Sequence, residues 1–215
     1  MERTLIGNGR TADVYEYDQF TIIKLFKKSM NPASVQNEYK IAQFAFSCNV
    51  STPKPISFIQ ENDKIGIVYE KVNGITMLNK LLQNPLQISQ IAKNMARLHY
   101  SINCIEYENE NYNQKKYLKD CIQNTQLIDD GKKEIILKYL GTLPNGTRLC
   151  HGDFHPDNIL LTNKMWIIDW MTGTNGDQAG DVARTKMILE CSDIPNSMPV
   201  IVKKLLKLGQ NYLAK

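Results

Sequence analysis

A short polar segment restricts the folds open to this chain more than any other feature of its sequence. It reads His-Gly-Asp-Phe-His-Pro-Asp-Asn, spans residues 151–158, and is followed by the apolar run 159–161. Binding and catalytic side chains concentrate on loops that a rigid scaffold holds in place. Residues 151–158, called the polar loop below, are therefore predicted to be functional and to be positioned by buried segments around them.

Two kinds of chemistry fit the polar loop. Metal-assisted hydrolysis would use His and Asp ligands, but His99 is the only histidine outside the loop, and we expect it to be a packed or surface residue of a helix. Phosphoryl transfer needs a carboxylate that accepts a hydroxyl proton and oxygen ligands that hold Mg²⁺. Asp153 and Asn158 lie five residues apart, and Asp169 follows eleven residues later at the end of an apolar strand. This spacing favours phosphoryl transfer.

These residues resemble a known family. The polar loop is similar to the catalytic loop of the aminoglycoside phosphotransferases and choline kinases, which belong to the protein-kinase-like superfamily. Asp169-Trp170 is similar to their metal-binding turn, where protein kinases have Asp-Phe-Gly. The resemblance covers residues 5–190 in order. It implies an α+β, bilobal protein-kinase-like fold, with a small antiparallel sheet and one helix in the N-lobe and a larger, mainly helical C-lobe.

The resemblance also implies a role for each polar residue of the site. Asp153 would be the catalytic residue, as the base or as the group that orients the hydroxyl. Asn158 and Asp169 would hold Mg²⁺, and the phosphoryl donor would be ATP, which the sequence does not distinguish from GTP. Structural support of the loop is assigned to His151, His155 and Asp181.

The N-terminal segment carries a glycine motif. Residues 7–14 read G-x-G-x-x-A-x-V. A dinucleotide-binding site would need a helix directly after such a motif, whereas strands are predicted at 14–17 and 20–26. This order is similar to the kinase hairpin that covers the nucleotide phosphates. The nucleotide-binding candidates in this motif are Gly7, Gly9 and Val14.

A lysine inside the second of these strands needs an anionic partner. Lys24 shares a strand face with apolar residues, and an unpaired buried charge is costly. Glu38 lies on the apolar stripe of the helix predicted over 33–47, and by resemblance the two form an ion pair beside the phosphates. Glu16 and Asp18 are competing partners, although their position near the turn makes them poorer ones.

Two further sites rest on the resemblance. In this fold the segment after the last N-lobe strand meets adenine, so the Glu70 carbonyl and the Val72 N–H are expected contacts. Residues 176–183 resemble the family stretch G-D-P-x-x-D-L-A, in which Asp181 would brace the polar loop through backbone hydrogen bonds. Asp177 has an alternative interpretation as a helix N-cap.

The rest of the chain divides at Asn73-Gly74. Residues 1–72 are predicted to form the nucleotide-binding N-lobe, with strands also near 56–60 and 64–70, and residues 73–215 the C-lobe with the acceptor-binding helices. The predicted C-lobe helices are 76–83, 88–102, 114–127, 132–140, 180–190 and 197–213.

The acceptor is expected to be a hydroxyl of a small molecule. His155 stands where protein kinases usually have lysine, and only eleven residues separate Asp169 from Asp181, which is too few for a peptide platform. A protein kinase and a catalytically silent nucleotide-binding module remain the alternatives. A polycationic aminoglycoside would need nearby acids, and the candidates are Glu106, Glu108, Glu110, Asp129 and Asp130.

Charge and hydropathy exclude several other partners. The formal net charge of +4 is too small to indicate nucleic acid. No apolar run approaches the roughly 18 residues that a membrane span needs, and the first residues lack the apolar stretch of a signal peptide. We therefore expect no nucleic acid, no membrane and a cytoplasmic location.

Overall fold

The computed structural model describes residues 3–61, 63–109 and 112–191. A five-stranded antiparallel sheet and one helix come first, followed by a larger part with five helices and several short strands. This arrangement confirms the α+β fold expected from the sequence. A lobe boundary between residues 72 and 73 stays a prediction. In the part of the chain that the structure describes, no helix is long and apolar enough to cross a membrane.

The N-terminal sheet has the strand order β1-β2-β3-β5-β4, with every neighbouring pair antiparallel. Its strands are β1 (Leu5–Asn8), β2 (Ala12–Glu16), β3 (Thr21–Phe26), β4 (Pro55–Glu61) and β5 (Lys64–Glu70). The central strand β3 pairs Lys24 with Val14 of β2 and with Ile67 of β5. Lys24 therefore sits in the middle of the sheet rather than at its edge.

Helix α1 (Pro32–Ser47) packs on this sheet. The Asn31 side chain caps it by accepting the Ala33 N–H at 2.9 Å, and proline occupies the first turn, where its missing N–H costs nothing. Val35, Glu38 and Ala42 recur at helical spacing and are all buried. The stripe that buries the helix thus also carries a carboxylate against the sheet.

The larger part contains five helices among the described residues: α2 (Met77–Gln83), α3 (Ile88–Asn103), α4 (Gln114–Asn124), α5 (Asp130–Thr142) and α6 (Gln178–Cys191). The predicted end of α4 and the predicted start of α5 were wrong. Helix α4 stops because Thr125 turns to extended backbone. Helix α5 begins two residues early because the Asp129 side chain caps it, accepting the Lys132 N–H at 2.9 Å. The helix predicted at 197–213 lies outside the described residues.

Short strands hold the polar loop between them. Strand β7 (Arg148–Cys150) enters the loop, and β8 (Ile159–Leu161) leaves it. Strand β8 pairs with β6 (Ile75–Thr76) and β9 (Met165–Ile167), and β7 pairs with β10 (Thr174–Gly176). At the centre of the loop the Phe154 side chain is fully buried, as is Trp170 after β9. The loop is therefore anchored through its own aromatic residue.

Candidate active site

Three charged side chains from distant parts of the chain meet beneath the sheet. Lys24 Nζ donates to Glu38 Oε1 at 2.7 Å and to Asp169 Oδ1 at 2.9 Å. The Tyr69 hydroxyl donates to the same Glu38 oxygen at 3.1 Å. Lys24, Glu38 and Asp169 are called the ion cluster below. The structure thus brings Lys24 together with the helix carboxylate proposed from the sequence.

The competing acids near the first hairpin are occupied elsewhere. Glu16 Oε1 accepts a hydrogen bond from Lys71 Nζ at 2.6 Å. The Asp18 side chain accepts the Phe20 N–H at 2.7 Å and so stabilises its own turn. Neither acid forms an ion pair with Lys24 within the described ranges.

Burial and mutual attraction oppose each other in the ion cluster. Burial alone would lower the pKa of the Lys24 ammonium, but the Glu38 and Asp169 carboxylates together raise it above its ordinary value. Burial raises the pKa of Glu38, although Lys24 opposes this effect. Burial also opposes ionisation of Asp169, yet Lys24 holds the pKa of Asp169 below its usual range. Lys24 is therefore a fixed positive charge.

A cleft of about 620 Å³ lies between the sheet and the helical part and contains the ion cluster. Six of the seven nucleotide-binding candidates line it: Gly7, Val14, Lys24, Glu38, Glu70 and Val72. Gly9 does not, because it closes the turn between β1 and β2. Its N–H donates to the Ala12 carbonyl at 2.9 Å, and a Cβ at Gly9 would also lie 2.9 Å from that oxygen.

The backbone at the back of the cleft is partly used by the sheet. Glu70 N–H donates to the Lys54 carbonyl at 2.9 Å, and Lys71 N–H donates to the Phe20 carbonyl at 2.8 Å. The next residue, Val72, lines the cleft, and no hydrogen bond from its N–H occurs among the residues the structure describes. This N–H is therefore free to meet a ligand.

The Asp153 carboxylate of the polar loop is partly exposed and is held by two neighbours in the loop. Asn158 Nδ2 donates to the Asp153 carbonyl at 2.9 Å and to Oδ2 at 3.2 Å. His155 Nε2 lies 3.6 Å from the same Oδ2, and the Asp153 side chain is 39% exposed. Partial burial would raise the pKa of Asp153, but His155 lowers it below the usual range. The carboxylate is therefore ionised near neutral pH and able to accept a proton.

The two loop histidines shape the backbone around Asp153. His151 is fully buried, and burial lowers its pKa, so it is neutral. Its Nε2 donates to the Ile168 carbonyl at 3.1 Å, and its Nδ1 accepts the Asp153 N–H at 3.3 Å. His155 Nδ1 accepts the Asp157 N–H at 3.3 Å and starts the 3-10 turn that ends at Asn158. His151 thus ties the loop to the residue before Asp169.

Asp181 of α6 holds the start of the polar loop. Its Oδ2 accepts the His151 N–H at 3.0 Å, and its Oδ1 accepts the Gly152 N–H at 2.8 Å. Two side chains of α3 complete the shell: His99 Nε2 lies 2.8 Å from Oδ2, and Asn103 Nδ2 donates to it at 3.0 Å. Burial opposes ionisation, but these hydrogen bonds lower the pKa of Asp181 to about 2.

Sequence reasoning missed the functional position of His99 and Asn103. His99 was expected to be either a packed or a surface residue of a helix. It is buried, and its ring stacks on Phe154 with centroids 4.2 Å apart. What was missed is that the two polar residues, four apart on the apolar face of α3, both reach Asp181. Polar side chains on an apolar stripe are the signal that could have indicated a buried partner.

Two backbone conformations near the loop are left-handed. Gly152 has φ +75°, and a Cβ there would lie 2.4 Å from the Thr172 carbonyl oxygen, so only glycine fits. Asp169 has φ +66°, which is uncommon for a residue with a side chain and is typical of active sites and ligand-binding turns. The Trp170 indole N–H donates to Thr52 Oγ1 at 3.0 Å and secures that turn.

The acids proposed for a cationic acceptor lie apart from the site. Glu106 is 76% exposed and faces Arg148, and Asp129 and Asp130 are 60% and 98% exposed, each beside its own lysine. Glu108 is exposed, and Glu110 lies outside the described residues. Of the acids proposed for the acceptor, the four that the structure describes line neither the cleft nor a second cavity of about 570 Å³ between α3 and α6.

Comparison with known proteins agrees with this geometry. The sequence matches the model of the phosphotransferase enzyme family over residues 2–198. The chain belongs to this family. The match confirms the resemblance first noted in the polar loop and at Asp169.

Solved structures share the fold. They include an aminoglycoside-3'-phosphotransferase of type VIII, with a TM-score of 0.61 and 17% identity over 99% of this chain and 92% of that one. A ternary complex of aminoglycoside phosphotransferase APH(4)-Ia with AMP-PNP and hygromycin B has a TM-score of 0.61 and 12% identity over 85% and 70%. Choline kinase LicA from Streptococcus pneumoniae has a TM-score of 0.55 and 14% identity over 99% and 82%. At these identities the similarity shows the fold alone.

Curated relatives are longer proteins. Acyl-CoA dehydrogenase family member 11 from Homo sapiens and from Pongo abelii is 25% identical over an alignment of 194 residues that covers 78% of this chain. The chain spans about a quarter (24%) of the length of these relatives.

Proposed function

We propose that the chain transfers the γ-phosphoryl group of ATP to a hydroxyl of a small molecule. The observation that carries this proposal is that Asn158 joins an ionised carboxylate to the ion cluster. Its side chain donates to Asp153, and its carbonyl accepts the Ile168 N–H at 3.0 Å, next to Asp169. A proton acceptor and a phosphate-binding lysine are thus held in one rigid unit, which phosphoryl transfer requires.

The cleft supplies the nucleotide site. Lys24 would bind the phosphates, with Glu38 fixing its position, while Gly7 and Val14 cover them from the first hairpin. The Glu70 carbonyl and the Val72 N–H would meet the base. Solved structures of similar fold were determined with ATP, AMP-PNP or ADP, which supports a nucleoside triphosphate as the donor and ATP as the one to test first.

Asn158 and Asp169 fit the requirements of Mg²⁺. Among the described residues no group of three or more His, Cys, Asp or Glu side chains could hold a metal without further ligands. Mg²⁺ typically takes one or two carboxylates and completes its shell with phosphates and water. Asn158 uses its amide nitrogen on Asp153, which leaves its amide oxygen available, and the Asp169 side chain is 35% exposed. Bound there, Mg²⁺ would neutralise charge on the phosphates.

The metal assignment is tested by Asp169→Ala. ATP should bind the variant with an affinity that Mg²⁺ no longer increases, because the only carboxylate ligand is lost. Isothermal titration with and without Mg²⁺ measures this difference. Asp157→Ala removes an exposed acid of the same loop and should keep the Mg²⁺ effect. An unchanged Mg²⁺ effect in Asp169→Ala would place the metal elsewhere.

A small acceptor is favoured over a peptide by the use made of residues 170–180. Three of these residues form β10, which is buried and paired with β7. The Asp177 side chain then accepts the Ala179 N–H at 2.8 Å at the start of α6. This interval is occupied by structure that braces the polar loop and has no length left for a peptide platform. A silent module is disfavoured because the chain keeps Lys24, Asp153, Asn158 and Asp169, and such a module would have no need of all four.

The role of Asp153 is tested by Asp153→Asn. The variant should bind ATP as the parent does but turn over roughly 10²–10⁴-fold more slowly, which is the usual contribution of a general base. ADP formation against a panel of small hydroxyl compounds measures it, with Asp157→Asn as the matched control. Near-normal turnover by Asp153→Asn would contradict the assigned role. Phosphorylation of a generic protein, with no small compound turned over, would contradict the acceptor class.

A further inference from the structure

The cleft proposed for a nucleotide carries more negative than positive charge. Among the described residues that line it, the charged ones are the lysines Lys24 and Lys71 and the acids Glu16, Glu38, Glu70 and Asp169. Lys71 Nζ is bound to Glu16 Oε1 at 2.6 Å, so Lys24 is the other cation of this lining. The phosphate chain of ATP is itself an anion, and a cleft of this charge repels it.

The charge of Lys24 is already shared between two carboxylates. Its Nζ donates to Glu38 Oε1 at 2.7 Å and to Asp169 Oδ1 at 2.9 Å, so two of the three N–H groups of the ammonium are in use. With both acids ionised, the ion cluster as a whole has one negative charge. The Glu38 side chain is 1% exposed and the Asp169 side chain 35%. Asp169 is therefore the carboxylate of the cluster that an incoming phosphate would meet.

We propose that Asp169 makes the cleft selective for the metal complex of a nucleoside triphosphate and against the free nucleotide. This inference rests on the proposed function and deepens it. Without a divalent cation, the Asp169 carboxylate repels the phosphates and also holds Lys24, the cation that they need. With a divalent cation, the charge of Asp169 is balanced, and Lys24 is free to bind the phosphates while it keeps Glu38.

The substitution Asp169→Asn isolates the charge of this side chain. The backbone of Asp169 is left-handed, with φ +66°, and asparagine is among the residues that adopt this conformation most readily. Lys24 keeps its buried partner Glu38 in the variant. We therefore expect the variant to fold, and its Tm measures whether it does.

Isothermal titration with ATP in EDTA measures binding of the free nucleotide. Asp169→Asn should bind ATP about tenfold more tightly than wild type in EDTA, because one unit charge beside the phosphates is removed. Wild type should bind ATP at least about tenfold more tightly with Mg²⁺ than in EDTA. With Mg²⁺ the order of the two proteins should reverse, since the variant has lost the carboxylate ligand.

Asp153→Asn is the matched control for binding. It removes an equal charge from the polar loop, and the Asp153 side chain contacts Asn158 and His155 instead of Lys24. Its affinity for ATP in EDTA should stay close to that of wild type. Equal gains in Asp169→Asn and Asp153→Asn would mean that the overall charge, and not the contact with Lys24, limits binding of the free nucleotide, and the proposal would be wrong.

Two other results would overturn this inference and leave the proposed function intact. The first needs no variant and is ATP binding by wild type that is as tight in EDTA as with Mg²⁺. The second is an Asp169→Asn protein that is folded but gains no affinity for ATP in EDTA. Failure of wild type to bind ATP under both conditions would instead overturn the proposed function itself.

Discussion

The Glu38 and Asp153 carboxylates differ in how deeply they are buried and in which parts of the chain hold them. Glu38 is 1% exposed and is held by Lys24 and Tyr69, which come from two different strands. Asp153 is 39% exposed, and its side-chain contacts come from its own loop. Under the proposed function, the first site presents Lys24 to the phosphates of the nucleotide. The second holds its carboxylate by local contacts and is the more open of the two.

The largest loss of stability should come from Lys24→Met, which removes the cation that pairs with Glu38. The substitution leaves the buried Glu38 carboxylate without its cation, and breaking a buried ion pair from one side costs about 3–5 kcal/mol. The loss in free energy of unfolding should shrink as the pH falls, because Glu38, whose pKa is already raised by burial, then takes up a proton. Urea denaturation at pH 7 and pH 5 measures both effects.

Lys28→Met is the control for this change. Lys28 is 66% exposed and lies 3.8 Å from an Asp63 that is 88% exposed. An exposed pair of this kind contributes little, so the unfolding free energy should stay close to that of the parent. Equal losses of unfolding free energy in Lys24→Met and Lys28→Met would show that the buried ion pair stabilises the fold no more than an exposed one.

A smaller loss of stability is expected from Asp181→Asn. This variant tests whether the buried charge of Asp181, which holds the polar loop, stabilises the fold as the buried charge of Glu38 does. The folded-state pKa of Asp181 is about 2, below its ordinary value of 3.8. By linkage, ionisation of Asp181 therefore adds about 2 kcal/mol to the free energy of unfolding. This contribution is present above pH 4 and is lost as the pH falls through 2.

Denaturation of wild type and Asp181→Asn across pH 3 to 7 should show a difference that narrows toward the acid end. Asp130→Asn, at a side chain that is 98% exposed, should show no such dependence. A gap between wild type and Asp181→Asn that is constant with pH would mean that packing, and not charge, explains the role of Asp181.

The smallest effect should come from Tyr69→Phe, which removes one hydrogen bond to Glu38 and keeps the ring. The loss should be about 0.5–1.5 kcal/mol, with weaker ATP binding because Lys24 is held less firmly. Tyr139→Phe changes a tyrosine that is 66% exposed and should change neither stability nor affinity. If Tyr69→Phe and Tyr139→Phe have the same stability and ATP affinity, the Tyr69 hydroxyl does not help to hold Glu38.

Local signals in the sequence were enough to predict several elements. Asn31 and Pro32 mark the start of α1 to within one residue, because capping depends on neighbouring residues only. Asp129 gives the same kind of signal for α5, but its place in a run of acids hid it. The polar loop and Asp169 also stand within one short stretch, so their spacing could be read directly.

Long-range partners could not be predicted in this way. Strands β7 and β10 have three residues each, and what defines them is their pairing with each other. His99 and Asp181 are separated by 82 positions. The apolar stripe around His99 indicates that it has a buried partner, but nothing local identifies that partner as Asp181. Arg184 appears in the sequence as one more charge on a helix, and only the fold shows that its guanidinium carbon lies 5.3 Å from the centre of the Tyr117 ring.

The ion cluster also implies an order of assembly for the chain. Lys24 and Glu38 are 14 positions apart, whereas Lys24 and Asp169 are 145 apart. Closing the longer loop costs about 2 kcal/mol more chain entropy by the logarithmic dependence on length. Chain entropy therefore favours pairing of the lysine with the helix carboxylate before Asp169 joins the ion cluster. Completing the ion cluster is thus the step that depends on the more distant part of the chain.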